Sequence, residues 1–99
     1  QEHNRLSYGP EPAYSVVLYF NQRTDAEGNA KMARLTSDLI DLTQARGGRF
    51  FLPYQLHYSP EQLGRSYPEI RDFFAEKRKW DPEGRFSNSW YDRYAPSFL

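Results

Sequence analysis

Arg49-Phe50-Phe51-Leu52-Pro53-Tyr54-Gln55-Leu56-His57-Tyr58 carries the fold class of this 99-residue chain. The run is rich in aromatic and apolar residues and lies between turn formers, Gly47-Gly48 before it and Ser59-Pro60 after it. That is the pattern of a strand. Pro53 has no N–H to donate to a ladder, so the strand sits at an edge, is bulged, or breaks there. Strand geometry would put Tyr54, Leu56 and Tyr58 on one face and Gln55 and His57 on the other.

Upstream, Met32, Leu35, Leu39 and Leu42 recur at spacings of three and four, and Ile40 widens the stripe. This predicts an amphipathic helix from about residue 26 or 30 to residue 45. Gly47-Gly48 ends it, because glycine accepts the left-handed conformation of helix termini. Earlier still, Tyr14-Ser15-Val16-Val17-Leu18-Tyr19-Phe20 reads as a buried or half-buried strand. Residues 1–13, with Gly9, Pro10 and Pro12, read as an irregular lead-in.

Downstream, Ser59-Pro60-Glu61-Gln62 is a helix start, with Ser as N-cap, Pro in the first turn and an acid beside it. A short helical turn to residue 63 or 64 is expected there. Tyr67-Pro68 opens a longer helix carrying Ile70, Phe73, Phe74, Lys77 and Trp80. Asp81-Pro82-Glu83-Gly84 closes it with a turn. A short extended stretch then presents Phe86 and Asn88. Residues 89–99 read as an aromatic tail without a clear period.

The order strand, helix, strand, helix predicts an α+β fold. Two strands make no stable sheet alone. The lead-in and tail must supply strands, two copies must pair, or the remaining strands lie elsewhere in a larger protein. The length allows one domain at most. Thirteen Lys and Arg balance thirteen Asp and Glu, which argues against a general nucleic-acid binder. Cysteine is absent, so there is no disulfide framework and no thiolate metal site. No apolar run reaches the roughly 20 residues of a membrane-spanning helix, and the first residues lack the form of a secretory signal. Eight Tyr, seven Phe and two Trp make the chain aromatic-rich, as suits a surface that covers a ligand or another domain.

Few residues point to chemistry by themselves. His57 beside Gln55 could orient a hydroxylated substrate or move a proton, although a strand whose polar face meets water explains the same residues and is the preferred reading of the residues alone. The Asp81-to-Gly84 turn could aim Phe86, Ser87 and Asn88 at a ligand, and Asn88 can donate and accept, as suits the edge of a flavin; a turn with no ligand explains the same residues and is the preferred reading of the residues alone. Lys77, Arg78 and Lys79 are interleaved with Glu69, Asp72 and Glu76, so that helix face neutralises itself. There is no phosphate-binding glycine loop, and His3 and His57 are too far apart in sequence to make a good metal site.

Taken together, residues 51–63, Tyr67-Pro68 and the run from Phe73 through Lys77-Arg78-Lys79-Trp80-Asp81-Pro82-Glu83-Gly84-Arg85-Phe86 resemble the C-terminus of FAD-linked oxidoreductases of the vanillyl-alcohol oxidase type. That family includes the aldonolactone, alditol and cytokinin oxidases. The resemblance covers roughly residues 49–94. It implies an N-terminal FAD-binding domain in the same polypeptide, a substrate or cap domain built on a small antiparallel sheet with flanking helices, and a final segment, residues 81–99, that returns toward the flavin. By position, Tyr54 and His57 are the implied catalytic candidates, followed by Gln55. Phe86 and Asn88, and more weakly Arg85, are the implied FAD contacts. Several relatives carry Lys or His where this chain has Tyr54.

The implied reaction is hydride transfer from a small alcohol-like or amine substrate to flavin. The 99 residues alone, lacking the FAD-binding domain, are expected to be inactive. Two alternatives have no catalytic role for this chain: an α+β module that forms a homodimer through its aromatic strand, and an accessory subunit that caps a separate flavoprotein.

Overall fold

Asp25 stops the chain in an extended conformation (φ −83°, ψ 173°), and its carboxylate accepts from the Gly28 N–H at 2.8 Å. This N-cap starts α1, Ala26–Gln44. The computed structural model describes residues 6–9 and 11–99; the expected lead-in therefore lies partly outside the described residues. After α1 come α2 (Pro60–Ser66), α3 (Ile70–Trp80), α4 (Ser89–Tyr94) and a 3-10 helix (Ala95–Ser97). Among the described residues there is no strand. The predicted α+β fold with a small antiparallel sheet is thus corrected to an all-helical one.

Both expected strands fail for want of a partner. Residues 14–20 have β-forming side chains, but every one is exposed and none is paired with residues 49–58. The latter form an irregular loop with a turn at Leu52 and Pro53. Local propensity cannot hold a strand without a neighbour to take its backbone groups. The face alternation expected for the loop is lost as well, since Tyr58 is buried, Leu56 half-buried and Tyr54 exposed.

The loop is held by tyrosines instead of a ladder. The Tyr67 hydroxyl donates to the Phe50 carbonyl at 2.5 Å, Tyr58 to Leu52 at 3.0 Å, and Tyr94 to Tyr58 at 2.8 Å. Their rings fill the core with Leu63, Ile70, Phe74 and Ala95. Tyr58 and Tyr94 stack with centroids 4.7 Å apart and planes 7° apart. Each tyrosine therefore buries apolar area while satisfying a backbone acceptor.

Helix α2 begins with a reciprocal capping box. Ser59 Oγ accepts from the Gln62 N–H, and Gln62 Oε1 accepts from the Ser59 N–H. The amide nitrogen of the same buried Gln62 donates to the Ser37 carbonyl, Ser37 Oγ and Asp41 Oδ1 at 2.9 to 3.1 Å. With Ile40, this cluster joins α1 to the rest. The remaining stripe of α1 is poorly covered: Leu35 and Leu42 are exposed, and Met32 and Leu39 are half-buried. The radius of gyration, 14.8 Å, exceeds the roughly 13 Å of a compact chain this long, as expected when much of the first half lies outside the core.

The tail is also corrected. Asn88 caps α4, and Trp90, Tyr91, Tyr94 and Phe98 pack against Phe74 or the tyrosine core. Replacing Tyr94 by Phe keeps the ring and strands the Tyr58 carbonyl. Urea unfolding should show a loss of about 1–3 kcal/mol with an unchanged denaturant slope.

Candidate functional site

The sharp bend after α3 is built by one carboxylate. Asp81 Oδ1 accepts from the Arg85 N–H at 2.8 Å, and Oδ2 accepts from the Phe86 N–H at 2.9 Å. Lys77, one turn earlier on α3, donates to Oδ2 at 2.5 Å. Gly84 completes the turn at φ 65°, a conformation that favours glycine. The hydrogen bond from Lys77, and then those from the Phe86 and Arg85 N–H groups, hold the Asp81 carboxyl at about 2, below the usual 3.8.

This bend presents Phe86 to solvent, 79% exposed, and Trp80 at the end of α3 is 77% exposed. Asn88 follows in extended backbone, but its Oδ1 already accepts from the Tyr91 N–H at 2.8 Å. Its side-chain N–H groups remain to donate to a ligand. Arg85 is committed differently: its guanidinium is paired with Glu83 at 2.5 Å on the surface.

The other candidates stand on the loop before α2. Tyr54 is 67% exposed, and its ring meets Phe51 edge-on at 5.0 Å; Phe51 in turn meets Tyr8 at 5.6 Å. The His57 N–H donates to the Gln55 carbonyl at 2.9 Å, a tight local turn that replaces the expected extended course. The imidazole of His57 and the carboxamide of Gln55 make no hydrogen bond to the described residues. A shallow cleft of about 200 Å³ lies beside this group, lined by Leu6, Tyr8, Phe51, Leu52, Pro53 and Tyr67.

Tyr54, Gln55 and His57 thus form one group, and Arg85, Phe86 and Asn88 another. No hydrogen bond, ion pair or ring contact joins the two among the described residues. They are linked indirectly: Tyr58 follows His57, and Tyr94 closes the helix that Asn88 opens. Burial and then the neighbouring Tyr94 push the Tyr58 hydroxyl far above its usual pKa, and burial likewise raises that of Tyr94. Both therefore stay neutral donors at ordinary pH and serve the core rather than proton transfer.

The expected self-neutralising face of α3 finds other partners. Lys77 pairs with Asp81, Glu69 with Arg49 at 2.6 Å, and Glu76 accepts from the Trp80 indole at 3.1 Å. The exposed ring of Trp80 is absent from the sequence-based candidates; its place at the end of a helix, next to a turn, is the signal that could have found it. Among the described residues no cluster of His, Asp or Glu could hold a metal ion, and no helix is long and apolar enough to cross a membrane. No protein-family model, curated protein or solved structure matches the chain.

The lowered pKa of Asp81 gives a signed prediction. Its contribution is complete above pH 3.8 and is lost as pH falls through about 2. An NMR titration should show the Arg85 and Phe86 amide protons shifting with a midpoint near pH 2, and Asp81→Asn should abolish that step. A midpoint at or above the ordinary carboxylate value would contradict the hydrogen-bonded bend.

Proposed function

We propose that this chain is the C-terminal part of an FAD-dependent oxidoreductase that oxidises an alcohol-like or amine substrate. The resemblance of residues 49–94 to the vanillyl-alcohol oxidase type supports the reading. The observation that carries it is a division of labour within that region. Tyr58, Tyr67, Asp81 and Tyr94 are consumed by internal hydrogen bonds, whereas Tyr54, Phe86 and Trp80 are large aromatic side chains left uncovered on a framework built to hold them. Exposed aromatic surface on a fixed scaffold suits a planar ligand or a covering domain.

The available donors fit a flavin unequally. The Phe86 ring is open, and the Asn88 amide nitrogen can donate to a ring carbonyl or nitrogen. Arg85 fits less well because Glu83 neutralises it. FAD, when bound, supplies the redox chemistry by accepting the hydride. On the protein side, His57 is the best candidate to accept the substrate's proton, because its imidazole is unengaged and half-buried. Tyr54 and Gln55 would orient the substrate's polar group. The substrate and the FAD-binding domain belong to the same proposal, with the FAD-binding domain as the principal partner of these residues.

The longest natural polypeptide containing this sequence should show visible flavin absorption when purified. Within it, His57→Ala should slow anaerobic flavin reduction roughly 10²-fold or more, with flavin content unchanged. Unaltered reduction kinetics would remove His57 from the mechanism, and a colourless product would remove the flavin reading altogether.

A further inference from the structure

One arginine fastens residues 6–9 to the core. Arg49 Nη1 donates to the Ser7 carbonyl at 2.5 Å and to Glu69 Oε1 at 2.6 Å, and Nη2 reaches Glu69 Oε2 at 3.4 Å. The guanidinium lies over the Tyr67 ring, 4.9 Å from its centroid. Beneath it Ser7 is 5% exposed. Leu6 packs against the tyrosine core, and Tyr8 meets Phe51 edge-on.

The fastening makes a wall. Leu6 and Tyr8 form one side of the cleft of about 200 Å³, and Phe51, Leu52, Pro53 and Tyr67 form the other. The cleft therefore exists only while residues 6–8 are seated. It lies beside Tyr54, whose ring meets Phe51 at 5.0 Å, on the same loop as Gln55 and His57.

The two sides of the fastening are unequal. If the segment lifts away, the Ser7 carbonyl passes to water, an ordinary exchange for a backbone acceptor. The Arg49 guanidinium keeps its carboxylate and its ring, so lifting leaves no charge buried and unpaired. Every residue from 11 to 27 is exposed, so no packed element in that stretch has to move with the segment. The Tyr8 hydroxyl bonds to Ser15, which belongs to that exposed stretch. A segment held so locally opens at less cost than the whole fold.

We propose that residues 6–9 are a strap that opens and closes over the cleft while the core stays folded, and that Arg49, held ready by Glu69, is its clasp. Closed, the strap completes the cleft. Open, it bares the Phe51, Pro53 and Tyr67 side to solvent. As a gate for a substrate approaching His57 the strap rests on the flavin reading; its motion does not.

The 99 residues hold no cysteine, so an introduced thiol is the sole one in its peptide. Two are compared in the longest natural polypeptide containing this sequence, by timed alkylation with iodoacetamide and peptide mass spectrometry. Ser7→Cys reports the strap. Ser66→Cys reports the core, because Ser66 is 4% exposed and its hydroxyl has no hydrogen-bond partner to lose among the described residues. The Ser7→Cys thiol should react roughly 100-fold faster than the Ser66→Cys thiol. Arg49→Lys keeps the charge and loses the fork, and should speed the first reaction about tenfold and leave the second unchanged. Should Arg49→Lys fail to fold, Tyr8→Ala gives the same readout from the partly exposed side of the strap. Equal rates at the two thiols overturn the proposal, since the strap would then open only with the core. So does a clasp variant that speeds neither reaction or both alike. A colourless polypeptide with one fast and one slow thiol sinks only the flavin reading, and a yellow one with equal rates sinks only the strap.

Discussion

The contact between Tyr58 and Tyr94 is the constraint on which the packed core of residues 49–99 depends. The rings stack at 4.7 Å, and the Tyr94 hydroxyl donates to the Tyr58 carbonyl. One end of this contact is an irregular loop and the other is the last α-helix. The contact ties the end of the loop to α4, as the Tyr67 hydroxyl ties its beginning to the junction of α2 and α3. A buried loop must place its carbonyls somewhere, and here they go to tyrosine hydroxyls: Phe50 to Tyr67, Leu52 to Tyr58, Tyr58 to Tyr94. Removing a ring would open a cavity and orphan an acceptor together, so each tyrosine matters more than an apolar residue of its size.

The same contact determines how the candidate residues sit. Tyr54, Gln55 and His57 immediately precede Tyr58, and Asn88 begins the helix that ends at Tyr94. Neither group touches the other, yet both are carried by elements that meet at the stack. The Asp81 bend adds a second fixed point, because its carboxylate orients the backbone N–H groups of Arg85 and Phe86 together. Rigid elements of this kind position side chains better than a free loop would.

Local signals in the sequence were legible and non-local ones were not. The stripe and glycine stop of α1, the Ser59-Pro60 start of α2 and the Asp81-to-Gly84 turn each depend on residues a few positions apart, and each is present. The two strands were wrong because strand formation depends on a partner, which propensity does not report. The tail was misread although Trp90, Tyr94 and Phe98 recur at every fourth position, a helical spacing. Asn88 was read as a ligand-facing residue, whereas half of its hydrogen-bonding capacity caps α4. The tyrosine hydroxyls were beyond reach, since the partner of Tyr94 lies 36 residues away in sequence.

The chain is physically lopsided, and the imbalance follows from its residues. From residue 49 onward, aromatic side chains close a core in which the hydroxyls of Tyr58, Tyr67 and Tyr94 are all hydrogen-bonded. Among the described residues of 6–48, only Ser7, Gly28 and Ile40 are buried. Yet residues 14–20 and the α1 stripe are among the most apolar stretches in the sequence. Exposed apolar surface of that extent is unfavourable in water at roughly 25 cal/mol per Å², and α1 is tied to the core through Ile40, the Gln62 cluster and the exposed Arg65–Asp41 pair. The second half thus acts as the foundation of the fold, and α1 is held on it chiefly around Ile40 and Gln62.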